Sequence, residues 1–137
     1  MNYYTYDEIQ VGQTETFSRE ITAEMQEMFL KISGDENPLH NDDEFAKERG
    51  YEGKVVYGML TAALYSTLAG VYLPGEKSLL QSVESKFTKP VYVGDELTVI
   101  GKVLEKNDTC QLIRVRADIK NQNGEKVSRA VLQIGLI

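Results

Sequence analysis

Polar and apolar positions along this chain repeat with three different periods. Over 13–21, QTETFSREI, they alternate closely enough to predict a half-buried strand. Over 22–33, TAEMQEMFLKIS, Met25, Met28, Phe29 and Ile32 recur at spacings of three and four, which is one face of a helix. That stripe is expected in the core. Thr22 is a natural N-cap for this helix and Gly34 a natural stop. A short helix is predicted over 42–49, DDEFAKER, with acidic residues at its positive end and Lys47 and Arg49 at the other. The third pattern, over 55–73, has no polar face at all. Small Gly58, Ala62, Ala63, Ser66, Ala69 and Gly70 mix with leucines, so a helix there is expected to be buried all round.

After Pro74-Gly75 the chain reads as strands only. A long one over 78–93 is interrupted at Pro90, a second runs over 95–107, and a third, over 109–121, holds Leu112, Ile113, Val115, Ala117 and Ile119. A fourth, over 125–137, follows the Asn123-Gly124 turn. One strand, a block of helices and four consecutive strands argue an α+β fold with a meander, not a parallel βαβ arrangement. The simplest packing wraps an antiparallel sheet around the apolar helix. The 137 residues fit a single domain, 1–137.

Composition narrows the function. A net charge of −6 argues against a nucleic-acid partner, which needs a basic face, but leaves room for a small anionic ligand beside local lysines. Lys54, Lys86 and Lys89 are candidates for that role, although ordinary surface lysines are the simpler account of them. No apolar run reaches the roughly 18 residues that cross a bilayer, and MNYYTYDEIQ lacks the pattern of a signal peptide. Cys110 is the sole cysteine and is expected to be buried and inert in a strand. It forms no intrachain disulfide, which makes a cytoplasmic setting the default. One cysteine and one histidine argue against a structural zinc site. Phosphate-loop, dinucleotide and serine-hydrolase motifs are absent.

The chemistry-bearing stretch is SGDENPLH, which holds the sole histidine, His40, five residues after Asp35. Proline fixes its own φ and biases Asn37 toward extended backbone, which is expected to turn His40 back toward Asp35. Taken alone, the two residues also admit a structural histidine and an aspartate that stabilises a turn or caps the helix at 42–49.

SGDENPLH followed by VVYGMLTAAL and then SVESKFTKPVYVGDELT resembles the MaoC-like, (R)-specific enoyl-CoA hydratases, in the right order from about Phe17 to Ile134. The resemblance implies a hot-dog fold, with a long helix over about 58–70 gripped by a curved antiparallel sheet and overhung by a segment carrying catalytic Asp35 and His40. It implies a homodimer with acyl tunnels at the interface. The substrate-binding set would be Gly58, whose N–H meets the thioester oxygen, Ser66 on the central helix, and Asn37 and Tyr57 nearby. The family commonly has histidine before the Gly-Met pair, where this chain has Tyr57. The implied reaction is reversible hydration of a 2-enoyl-CoA to an (R)-3-hydroxyacyl-CoA, with no metal or other cofactor. Water is a poor nucleophile until a base takes its proton, and an imidazole titrates near neutral pH. Three rivals carry different chemistry: a dehydratase of acyl-carrier-protein thioesters, a hot-dog thioesterase, and a non-catalytic acyl-CoA-binding protein.

Overall fold

The structure, a computed structural model, describes residues 1–137. Its elements in chain order are β1 (Thr14–Glu20), α1 (Ala23–Ser33), α2 (Pro38–Asn41), α3 (Asp43–Glu48), α4 (Gly58–Thr67), β2 (Ser78–Phe87), β3 (Glu96–Asn107), β4 (Leu112–Lys120) and β5 (Lys126–Leu136). A π-helical turn, Leu68–Tyr72, continues α4. Local signals act where they were expected. The Thr22 hydroxyl accepts from Met25 N, and Gly34 closes α1 at φ +69°, a left-handed conformation that costs glycine little.

The five strands form one antiparallel sheet in the order β1-β3-β4-β5-β2. The expected meander therefore holds only for β3-β4-β5. β2 crosses to the far side and pairs with β5, because α4 lies across the sheet between the two edge strands. β2 also stops at Phe87, short of the interruption expected at Pro90. In β3, β4 and β5 alternation fixes which residues face α4: Leu97, Val99 and Val103, then Ile113, Val115, Ala117 and Ile119, then Ala130, Leu132 and Ile134 are all buried. With Leu64, Tyr65, Leu68, Ala69 and Leu73 they belong to one core of 21 buried residues. Fully burying a side chain such as Leu132 contributes about 1.5–3 kcal/mol. Gly101 lets the helix approach: a Cβ there would lie 2.8 Å from Leu68 Cδ2.

Three expectations about burial need correction. The stripe on α1 is core only in part: Met25 packs against the core and Phe29 against Tyr57, but Met28 is 52% and Ile32 79% exposed, and the one buried residue of α1 is Gln26. The central helix is not covered all round, since Met59, Ala63 and Ser66 make an exposed line at helical spacing. The sheet closes over the other faces only. Cys110 is exposed in the turn before β4, because that strand begins at Leu112.

Candidate active site

The overhang between α1 and α4 is built from short-range polar bonds. The Asn37 side chain caps α2 by accepting from Leu39 N at 3.0 Å, and Pro38 opens that turn. His40 thus sits on one helical turn and not on an irregular loop. The extended Asn37 backbone (φ −52°, ψ 124°) is what a following proline favours. Asp35 makes the turn before it, its Oδ1 accepting from Asn37 N at 3.0 Å, so the turn-forming role is present. The capping role at the next helix belongs to Asp42, whose Oδ1 accepts from Glu44 N and Phe45 N.

Tyr57 holds this overhang to the head of α4. Its hydroxyl donates to the Asp35 carbonyl at 2.6 Å and accepts from Asn41 Nδ2 at 3.1 Å. Its ring lies 4.3 Å from the His40 imidazole and 4.8 Å from Phe29, centroid to centroid. Gln26 is the second anchor. Its Nε2 donates to the carbonyls of His40 and Val55, both at 3.1 Å, and its Oε1 accepts from Tyr57 N at 3.4 Å. Sequence reasoning passed over Gln26, because a glutamine in an amphipathic helix reads as solvent-facing. The available signal was its place one turn from Thr22 and from Phe29 and Leu30, on the face that meets the overhang.

The His40 ring is oriented by its Nδ1, 2.7 Å from the Val55 carbonyl oxygen. A carbonyl only accepts, so the neutral ring carries its proton on Nδ1 and presents a free lone pair at Nε2. That is the tautomer a general base needs. Beside it opens a cavity of about 310 Å³, lined by His40, Val56, Gly58, Thr61, Phe87 and Val91 among others. Here α4 begins without a side-chain cap, and the N–H groups of Gly58 and Met59 have no protein acceptor. Helix starts leave such donors free, and the helix dipole adds partial positive charge there. Gly58 keeps the spot narrow and accessible, since a Cβ would meet the Phe87 ring at 3.3 Å.

Of the six site residues expected from sequence, His40 and Gly58 line this cavity, while Asp35, Asn37, Tyr57 and Ser66 do not. Asp35 stays exposed on the overhang with Oδ2 free of protein partners. Asn37 spends its side chain on the α2 cap. Tyr57 is buried behind the imidazole and supports it from outside the cavity wall. Ser66 faces outward on α4. Thr61 and Phe87 belong to the wall and were not singled out from sequence, and Lys89, one of the three candidate lysines, lies in it as well. Lys89 pairs with Glu125, and that hydrogen bond holds the Glu125 carboxyl below the usual carboxylate range.

Tyr57→Phe is expected to keep both ring contacts and lose both hydroxyl bonds. The lost stability should be about 1–2 kcal/mol, read as a lower denaturant midpoint. An unchanged midpoint would show that the hydroxyl does not secure the overhang.

A curved antiparallel sheet around one helix, overhung at the helix start by a histidine-bearing turn, defines an α+β hot-dog protein with a site at the head of its central helix. More narrowly, the chain belongs to the MaoC like domain family, which it matches over residues 8–124. It is 35% identical over 116 residues to an (R)-specific enoyl-CoA hydratase of Aeromonas caviae, covering 85% of this chain and 87% of that one. It is 31% identical over 101 residues to a mitochondrial 3-hydroxyacyl-[acyl-carrier-protein] dehydratase of Arabidopsis thaliana, covering 74% of this chain but only 60% of that one. Among solved structures, the unliganded R-hydratase of Pseudomonas aeruginosa superposes with a TM-score of 0.89 at 32% identity, over 96% of this chain and 84% of that one.

Proposed function

We propose that the protein is a lyase that adds water to a trans-2-enoyl-CoA to give the (R)-3-hydroxyacyl-CoA, and runs the dehydration in reverse. The observation that carries this reading is the His40 ring. It is tied through Nδ1 to the Val55 carbonyl and stands in the wall of a cavity also lined by Gly58, whose N–H at the head of α4 has no protein acceptor. The relatives named hydratase and dehydratase support it.

In the proposed reaction the thioester carbonyl oxygen accepts from Gly58 N–H. Water attacks C3 while His40 Nε2 takes one of its protons. The electron pair of the C2–C3 double bond moves toward the carbonyl, which acquires enolate character and is stabilised by the helix-start donors without reorganisation. C2 then receives that proton from the imidazolium, which restores the neutral His40 ring, and the C3 hydroxyl remains. Asp35, with its free Oδ2, is assigned to hold the same water, so that both elements of water reach one face of the alkene. In the single chain Asp35 stays exposed on the overhang.

A homodimer is part of the proposal. β2 is a ten-residue edge strand with its outer row of backbone donors and acceptors unpaired, and Leu79, Val83 and Phe87 are exposed along it. An apolar edge of that length invites another strand. Phe87 also belongs to the cavity wall, so a partner strand there would close the cavity. Sedimentation equilibrium showing only monomer at micromolar protein would remove this part. No helix is long and apolar enough to cross a membrane, and we place the protein in the cytoplasm, where a fractionation finding it elsewhere would count against us.

The deciding experiment follows loss of enoyl absorbance over a chain-length series of enoyl-CoA substrates, with chiral analysis of the product and a parallel series on acyl-carrier-protein thioesters. The expected outcome is (R)-3-hydroxyacyl-CoA with CoA substrates preferred. The chain's net charge of −6 opposes acidic carrier proteins. Faster turnover of the carrier-protein series would move the assignment to the dehydratase reading. Thiol release from saturated acyl-CoA would indicate a thioesterase, and tight binding without turnover a non-catalytic binder.

A further inference from the structure

Thr61 is the cavity residue whose chemistry the rest of the structure leaves unused. It is 2% exposed, it lines the cavity, and its Oγ1 is buried without a hydrogen-bond partner. A threonine inside a helix commonly bonds the carbonyl four residues back. Here that carbonyl, on Tyr57, already accepts the N–H of Leu60 and of Thr61 itself. The next polar group along the helix is turned elsewhere: the Tyr65 hydroxyl donates to Ser128 Oγ at 2.7 Å, which in turn donates to the Lys86 carbonyl, and it makes no bond to Thr61. Buried hydroxyls are almost always paired, and an unpaired one is costly to the fold.

We infer that the Thr61 hydroxyl is a second hydrogen-bond donor to the thioester carbonyl oxygen, beside the N–H of Gly58. Helical Cα–Cβ bonds tilt toward the N-terminus, so a side chain at position 61 covers the turn that begins at position 58. That turn is where Gly58 and Met59 present free N–H groups. Around it, Val55, Val56, Phe87, Val91 and Val127 make the wall largely apolar. An enoyl chain is equally apolar, and the polar atom it brings into such a place is the thioester oxygen. Two donors converging on that oxygen stabilise the enolate more than the ground-state carbonyl, so the hydroxyl acts on turnover more than on binding.

The assignment rests on the hydratase reading and deepens it. Its test compares wild type with Thr61→Val, which keeps the shape and removes the donor, and Thr61→Ser, which keeps the donor. For Thr61→Val, kcat on a short enoyl-CoA should fall on the order of 10²-fold, with KM moving less than about threefold. Its melting temperature should be no lower than wild type, because a buried orphan hydroxyl has been removed. Thr61→Ser should retain kcat within about threefold of wild type, since a single hydroxyl donor is all the role requires. Wild-type kcat in the valine variant would overturn the assignment and leave the hydratase reading intact. So would an equal loss in both variants, which would mean that the methyl group and not the hydroxyl matters. A lower melting temperature with unchanged kcat in the valine variant would instead identify a structural hydroxyl and likewise overturn it. A wild-type enzyme that hydrates no enoyl-CoA would overturn both readings together.

Discussion

Replacing His40 by alanine should lower kcat for enoyl-CoA hydration by roughly 10³-fold, within the range that positioned acid–base groups supply. The fold should survive. The Val55 carbonyl that His40 Nδ1 contacts also accepts from Gln26 Nε2, so it keeps a partner when the ring is gone. The stability cost should stay near about 1 kcal/mol. His40→Gln sharpens the experiment. A glutamine can donate to the same carbonyl but has no lone pair fit to take a proton from water, so it should be nearly as inactive as alanine while melting closer to wild type. Steady-state rates and thermal melts on the two variants decide the matter. Turnover near wild type in either one would remove His40 from the mechanism and leave Asp35 as the sole titratable group offered for it.

Gln26→Leu is expected to have the largest effect on stability of any change outside the core. Leucine fills a similar volume but cannot serve the three backbone groups that the amide joins. Val55 retains its bond to His40, whereas the His40 carbonyl and the Tyr57 N–H lose their side-chain partner in a region where Gln26 is only 6% exposed. Two such groups left unpaired should cost roughly 2–4 kcal/mol, and for a chain of this size that lowers the melting temperature by roughly 8–15 °C. Turnover should fall too, because one amide fixes the imidazole-bearing turn relative to the head of α4, and displacement by a fraction of an ångström is expensive in a positioned site. A leucine variant with wild-type melting and kcat would show that the tie from α1 is dispensable.

The unevenness of what could be read from the chain follows from the range of each interaction. Thr22 and Gly34 bound α1 through contacts within a few residues, and those were legible. The strands were legible because alternation follows from the pleat. Met28 and Ile32 were misread because an apolar stripe says that a surface is to be covered, not by what, and in the single chain nothing covers them. The same holds for the line Met59, Ala63 and Ser66 on α4. The partners of Gln26 lie 14 to 31 residues away, and no local rule reaches that far.

By itself, then, the sequence determined the α+β class, the apolar helix at its centre and a proline-shaped turn with one imidazole five residues after a carboxylate, all through short-range sterics and periodicity. Tertiary structure alone decided which side chains meet. It set β2 at the free edge of the sheet, put the phenol of Tyr57 against the imidazole, gave the His40 ring its tautomer through the Val55 carbonyl, and buried the Thr61 hydroxyl with nothing to bond. Those outcomes depend on distances between residues far apart in the chain, and such distances exist only once the sheet has closed around the helix.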